Sequence, residues 1–116
     1  MIAPVANPPD LKEMRAELGF NTDVMGLILD TSSRTLERWE KKASLEAIPP
    51  SVYGRLVKLH ELLALGRTVY GPEGFRRFLR TPLPAFGGKA AYQLLLIGEL
   101  ELVLAQLAAD YEGSGM

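Results

Sequence analysis

Apolar positions recur along this chain at helical spacing, and Gly and Pro punctuate them. No stretch shows sustained alternation with β-branched residues, so strands are not expected and the fold class reads as all-α. A first helix starts at Asp10, an N-cap with Glu13 at capping-box spacing, and stops at Gly19. Asn21 or Thr22 opens a second helix that ends near Leu29. Ser32 or Ser33 opens a third, which carries Leu36 and Trp39 and frays past Lys42. Residues 43–50 read as a loop, with Pro49 and Pro50 where a first helical turn tolerates them. A long fourth helix is expected over 51–69, broken by Gly71 and Pro72, then a short fifth over 72–79. The stretch 81–88 is rich in Pro and Gly and reads as irregular. A sixth helix is expected over 89–97, and Gly98 separates it from a last one over 99–112. No internal repeat is visible.

Two short helices joined by a tight turn, the second opened by Ser, form a DNA-binding signature. The stretch from Thr22 to Glu40 fits it. Met25 and Leu29 face inward from the first helix, and Gly26 supplies the small residue needed where the two helices meet. Leu36 and Trp39 face the core from the second. This pattern resembles the Xre/Cro-like repressors. Asp30 stands where those proteins usually have Gly in the turn, but Asp tolerates a left-handed backbone better than most residues. Arg34, Arg38 and Lys41 point away from Leu36 and Trp39, a line of cations suited to phosphates and guanine edges. Ser33 and Thr35 flank that line near the helix start, where base contacts are usually made. Candidate DNA-binding residues are therefore Ser33, Arg34, Thr35, Arg38 and Lys41. Glu37 and Glu40 interrupt the patch, so an ordinary solvated face stands as the alternative. A single module of this size would bind well only as a dimer on two half-sites.

Val52, Leu56, Leu59 and Leu63 form an apolar stripe along the fourth helix, widened by Tyr53, Val57, Leu62 and Ala64. A helix this apolar is either the hub of the core or a self-association surface. His60, at the edge of the stripe, reads as a hydrogen-bonded structural residue. The last helix has one apolar face made of Leu100, Val103, Leu104, Leu107, Ala108 and Tyr111. It has a second, opposite face of Leu102, Ala105 and Ala109, flat enough for a partner to approach closely. Burial of that second face within the same chain is the competing reading.

Composition narrows the function classes. The 116 residues suffice for one compact domain or two small helical subdomains sharing a core. There is no Cys and only one His, which removes disulfides, thiolate zinc sites, a Cys nucleophile and a two-His metal site. Nothing assembles a nucleophile, a base and an anion hole, so an enzyme is not expected and no cofactor is implied. No apolar run is long enough to span a membrane. Residues 1–9 read as a disordered arm rather than a secretory signal, and a cytoplasmic location is expected. The formal net charge of −1 argues against a blanket grip on nucleic acid. It conceals a polarised chain: net −2 over residues 1–48, +5 over 49–90 and −4 over 91–116. In the basic middle, Arg67, Arg76, Arg77 and Arg80 cluster. A solvated face, phosphate contact and docking to an acidic partner all remain open for them. Glu99, Glu101, Asp110 and Glu112 edge the last helix with no cation on it, which would suit a basic concave site.

A second resemblance covers the C-terminal part. Phe78-Leu-Arg-Thr-Pro82, Phe86-Gly-Gly-Lys89, Tyr92-Gln-Leu-Leu95, Gly98-Glu-Leu-Glu-Leu-Val103 and a closing Glu112-Gly113 are similar, in order, to the toxin-binding domain of the Xre/MbcA/ParS antitoxins. Phe78 stands where Trp is usual, Ala91 where Pro is common and Phe86 where Leu is usual. With the helix-turn-helix, the resemblance spans nearly the whole chain in the family's order. It implies an N-terminal helix-turn-helix bundle joined to a small C-terminal helical toxin-binding domain. The divisions are an arm over 1–9, a helix-turn-helix domain over 10–48, a central hub or dimerisation helix over 49–70 and a toxin-binding domain over 71–116.

The resemblance further implies an antitoxin of a type II toxin–antitoxin pair. The usual cognate is a RES-domain toxin that consumes NAD, blocked by the antitoxin's C-terminal helix and tail at the mouth of its NAD pocket. A pocket for a dinucleotide pyrophosphate should be positive, and this tail is negative. The toxin-binding residues expected are Leu102, Ala105, Ala109, Tyr111 and Glu112, with Tyr111 as an aromatic anchor. The second implied role is autorepression at promoter DNA, by a homodimer within a hetero-oligomeric complex. One rival is a stand-alone helix-turn-helix regulator whose C-terminal part only dimerises. Another is an antitoxin whose helix-turn-helix no longer binds DNA, kept open by the acidic balance of residues 1–48.

Overall fold

Local capping chemistry starts the first three helices, and stops the first two, where the sequence places these signals. In a computed structural model that describes residues 10–42 and 48–114, six α-helices follow one another. They are α1 (Leu11–Leu18), α2 (Thr22–Leu29), α3 (Ser33–Lys42), α4 (Pro50–Arg80), α5 (Ala91–Leu96) and α6 (Leu100–Ser114). A short 3-10 turn, Pro84–Phe86, lies between α4 and α5. The arm expected over 1–9, and residues 43–47 of the expected loop, lie outside the described residues. All regular structure among the described residues is helical.

The Asp10 carboxylate accepts the Glu13 N–H at 3.0 Å, and Asn21 does the same for Val24 at 2.9 Å. Ser32, rather than Ser33, opens α3: its hydroxyl accepts the Thr35 N–H at 3.1 Å. α1 ends on Gly19 at φ 75°. α2 ends on Asp30 at φ 61°, the one non-Gly positive φ among the described residues. Gly26 is needed for the turn, since a Cβ there would lie 2.7 Å from the Thr31 carbonyl oxygen.

The expected break after residue 70 is present: α4 consists of two helical segments, one on either side of residue 71, that meet at a kink. Gly71 sits at φ 77°, ψ 167°, a conformation L side chains rarely adopt, and Pro72 starts the second segment where its missing N–H is harmless. The bend carries Phe75 back onto Gly66, where a Cβ would come within 2.3 Å of the ring. α5 is shorter than expected. Lys89 stays outside it because its carbonyl accepts the Leu83 N–H at 3.1 Å, closing the loop that precedes the helix.

α4 is the hub of the core. Val52, Leu56, Leu59, Leu62 and Leu63 are all buried, and the helix packs against α1, α2, α5 and α6. One hydrophobic cluster runs from Leu11 of α1, through Met25, Ile28, Leu36 and Trp39, to Val103 and Leu107 of α6. Among the described residues, no helix is long and apolar enough to cross a membrane.

Candidate functional site

The α3 surface comes first. Leu36 and Trp39 are buried, which turns Arg34, Arg38 and Lys41 outward, and all three are exposed. Ser33 and Thr35 are half-buried, and the Thr35 hydroxyl oxygen accepts a hydrogen bond from Ser32 at 2.9 Å. The structure thus presents three of the five candidate DNA-binding side chains fully. Glu40, read from the sequence as interrupting the patch, instead turns toward α1. Its carboxylate accepts from Arg15 Nε at 2.8 Å and from Nη2 at 3.1 Å, and its side chain is 7% exposed. This bidentate pair raises the Arg15 pKa and removes Glu40 from the outer face. Glu37 stays exposed, with a long contact of 3.4 Å from Thr22.

The basic middle acquires a role that was not among the three left open. Arg76 Nε and Nη2 donate to the carbonyls of Glu17 and Ala16, at 3.0 and 2.9 Å. Arg80 Nη2 donates to the carbonyls of Gly19 and Leu18, at 2.8 and 3.3 Å, and its guanidinium lies 5.3 Å from the centre of the Phe20 ring. These are carbonyls at the end of α1, where helix geometry leaves C=O groups short of backbone partners and the helix dipole also favours a cation. Arg55 does the same for α2, donating to the Ile28 carbonyl at 3.0 Å. Arg67 pairs with Glu17 at 2.6 Å. The cluster therefore fastens the helix-turn-helix to α4, and Arg77 makes no ion pair among the described residues.

On α6, Val103 and Leu107 face the core, and Leu102, Ala105, Ala109 and Glu112 face away from it, all exposed. At about 100° per residue these four share one stripe, within about 80° of each other. Burial of this face within the chain, the competing sequence reading, is not what the structure shows. Tyr111 is placed apart from the stripe, about 180° from Leu102. It follows the core-facing side but is 51% exposed, and lines a groove between α4 and α6 with Glu61, Ala64, Leu65, Thr68 and Leu104.

The acidic edge of α6 is less bare than expected. Glu101 pairs with Lys58 of α4 at 2.5 Å, which raises the lysine's pKa. Asp110 accepts hydrogen bonds from the Tyr70 hydroxyl and from Gln106 Nε2, the latter at 2.9 Å. Burial, then the bond to Asp110, push the Tyr70 pKa up to about 12. Glu99 and Glu112 remain as exposed acids. His60 does not fit its sequence reading either: it is exposed and lines a shallow cleft with Asp10, Glu13, Met14, Glu17, Leu63 and Arg67. Among the described residues no group of His, Asp or Glu side chains is arranged to hold a metal ion.

Tyr70 is the residue that reading the sequence missed, while Arg76 and Arg80 were noticed as a cluster but not as fasteners of α1. The available signals were Arg76 and Arg80 one turn apart on one face, and Tyr70 placed directly before Gly71-Pro72.

Residues 64–113 match the model of the antitoxin Xre/MbcA/ParS C-terminal toxin-binding domain. This segment holds the end of α4, its bend, α5 and almost all of α6. The whole chain is similar in fold to a chain of the crystal structure of the M. tuberculosis MbcT-MbcA toxin–antitoxin complex. The TM-score is 0.70, with 22% sequence identity, over 96% of this chain and 97% of that one. No curated protein matches the sequence. The exposed α6 stripe thus lies inside the segment that is similar to the toxin-binding domain of the Xre/MbcA/ParS antitoxins.

Proposed function

We propose that this protein is an antitoxin that neutralises a RES-type, NAD-consuming toxin by occluding its active site with α6 and the tail, and represses its own promoter through α3. The protein acts by binding and performs no catalysis of its own. The observation that carries the first role is the exposed stripe of Leu102, Ala105, Ala109 and Glu112 within the matched domain. Two small side chains leave the helix backbone approachable, Leu102 supplies apolar area, and Glu112 brings negative charge to a pocket built for a pyrophosphate. The promoter role is supported by the cations of α3 and by the inward turn of Glu40, and a homodimer would bring two such helices to adjacent half-sites.

Removal of residues 109–116 tests the toxin-binding reading. Leu107, the last fully buried residue of α6, is retained, so the core should survive. The shortened protein is expected to keep its helical circular dichroism and to lose rescue of growth when the toxin is expressed. Full rescue by the shortened chain would exclude the tail as the blocking element.

A further inference from the structure

The last turns of α6 extend past the core. Leu107 is fully buried, whereas Ala109, Tyr111 and Glu112 are exposed. Beyond Leu107, Asp110 ties this part of the helix to α4 by accepting from the Tyr70 hydroxyl, while Gln106 donates to its other oxygen from one turn earlier. Tyr70 is itself held. Its ring stacks on Phe78 with centroids 5.0 Å apart and planes 22° apart. Phe78 stacks in turn on Phe75 at 6.0 Å and meets the edge of Phe86 at 6.3 Å. Phe75 is fully buried against Gly66, and Tyr70 directly precedes the bend at Gly71. A rigid aromatic stack therefore ends in one hydroxyl, and that hydroxyl is bonded to the residue beside Ala109.

We propose that Tyr70 is a positioning residue for toxin binding. Through Asp110 it holds the final turns of α6 so that Ala109 and Glu112 stay in register with Leu102 and Ala105. Tyr70 need not touch the toxin for this. The proposal rests on the toxin-occlusion reading above, and the experiment separates the two.

Tyr70→Phe in the full chain keeps the stacked ring and removes only the hydroxyl. In the free protein, amide hydrogen exchange over residues 109–114 is expected to accelerate severalfold, with exchange in α1 to α3 unchanged. Dissociation from a purified RES-domain toxin that the full chain binds is expected to speed up about tenfold, the effect of losing one charge-assisted hydrogen bond. Asp110→Ala should behave like Tyr70→Phe, and combining the two should cost nothing more. Asp110→Asn, which keeps an acceptor for the hydroxyl, should retain most of the affinity. Deletion of residues 109–116 is measured in the same binding assay. If the deletion binds as tightly as the full chain, the occlusion reading fails. If the deletion loses binding while Tyr70→Phe leaves both exchange and dissociation unchanged, the positioning role of Tyr70 is overturned. Additive losses from Tyr70→Phe and Asp110→Ala would overturn it as well.

Discussion

Asp30 shows how one side chain can meet a backbone demand at a cost. The turn between α2 and α3 needs a left-handed residue, and Asp30 occupies it at φ 61°, ψ 49°. Gly would adopt the same conformation without a Cβ penalty. Asp30→Gly is therefore expected to stabilise the fold by about 0.5–1 kcal/mol, seen as a higher denaturant midpoint with an unchanged slope. A lower midpoint would mean that the Asp side chain makes a contribution of its own. At this scale the sequence was legible wherever the cause is local. Asp10, Gly19, Asn21 and Asp30 act on backbone within a few positions of themselves, and each does what its residue type suggests. Glu40 was not legible, because its partner, Arg15, lies 25 positions away. His60 failed in the other direction: its neighbours along the helix suggested burial, and the packing of α1 on α4 left it at a surface cleft.

At the scale of elements, α4 and α1 are joined by side chain to main chain as well as by apolar packing. Arg76 and Arg80 reach carbonyls some 59 to 62 positions earlier in the sequence. Replacing both by Ala would leave the end of α1 to solvent and release the Phe20 ring from its cation. The expected loss is ~1–3 kcal/mol, given that charged donors make stronger hydrogen bonds than neutral ones but that these groups are partly solvated. It can be measured by thermal unfolding, and faster amide exchange confined at first to α1 would locate it. An unchanged midpoint would mean that apolar contacts alone hold α1. The break in α4 was readable from Gly71-Pro72, but its consequence was not. A bend that returns Phe75 to Gly66 depends on the ψ of one residue and on space nine positions back, which no spacing rule records.

For the whole molecule, the two proposed binding faces lie on elements that share a core but no exposed residues: the cations of α3 and the outer stripe of α6. Their effects should therefore separate. Arg34→Ala combined with Arg38→Ala is expected to weaken promoter binding and to flatten its salt dependence, because two phosphate-directed charges are lost. Neutralisation of the toxin should be unaffected. A gel shift unchanged by the pair, at any salt concentration, would remove α3 from the DNA interface. The helix-turn-helix and the all-helical class were legible because short, strongly patterned helices carry their own signals. The outer stripe of α6 was legible as a face, since Leu102, Ala105 and Ala109 alternate with core positions at helical spacing. The tie from Tyr70 to Asp110 spans 40 positions and exists only once α4 and α6 are packed together.

The two joined segments of α4, contributing buried side chains from Val52 to Leu79, have a consequence for how such a protein would be destroyed. Each end of the molecule draws part of its interior from these joined segments, so the two ends are expected to open together. On the proposed reading, a protease that captures an opened chain removes repressor and inhibitor in a single event. Release of the toxin and renewed transcription of its operon would then begin together, timed by the lifetime of one cooperative fold.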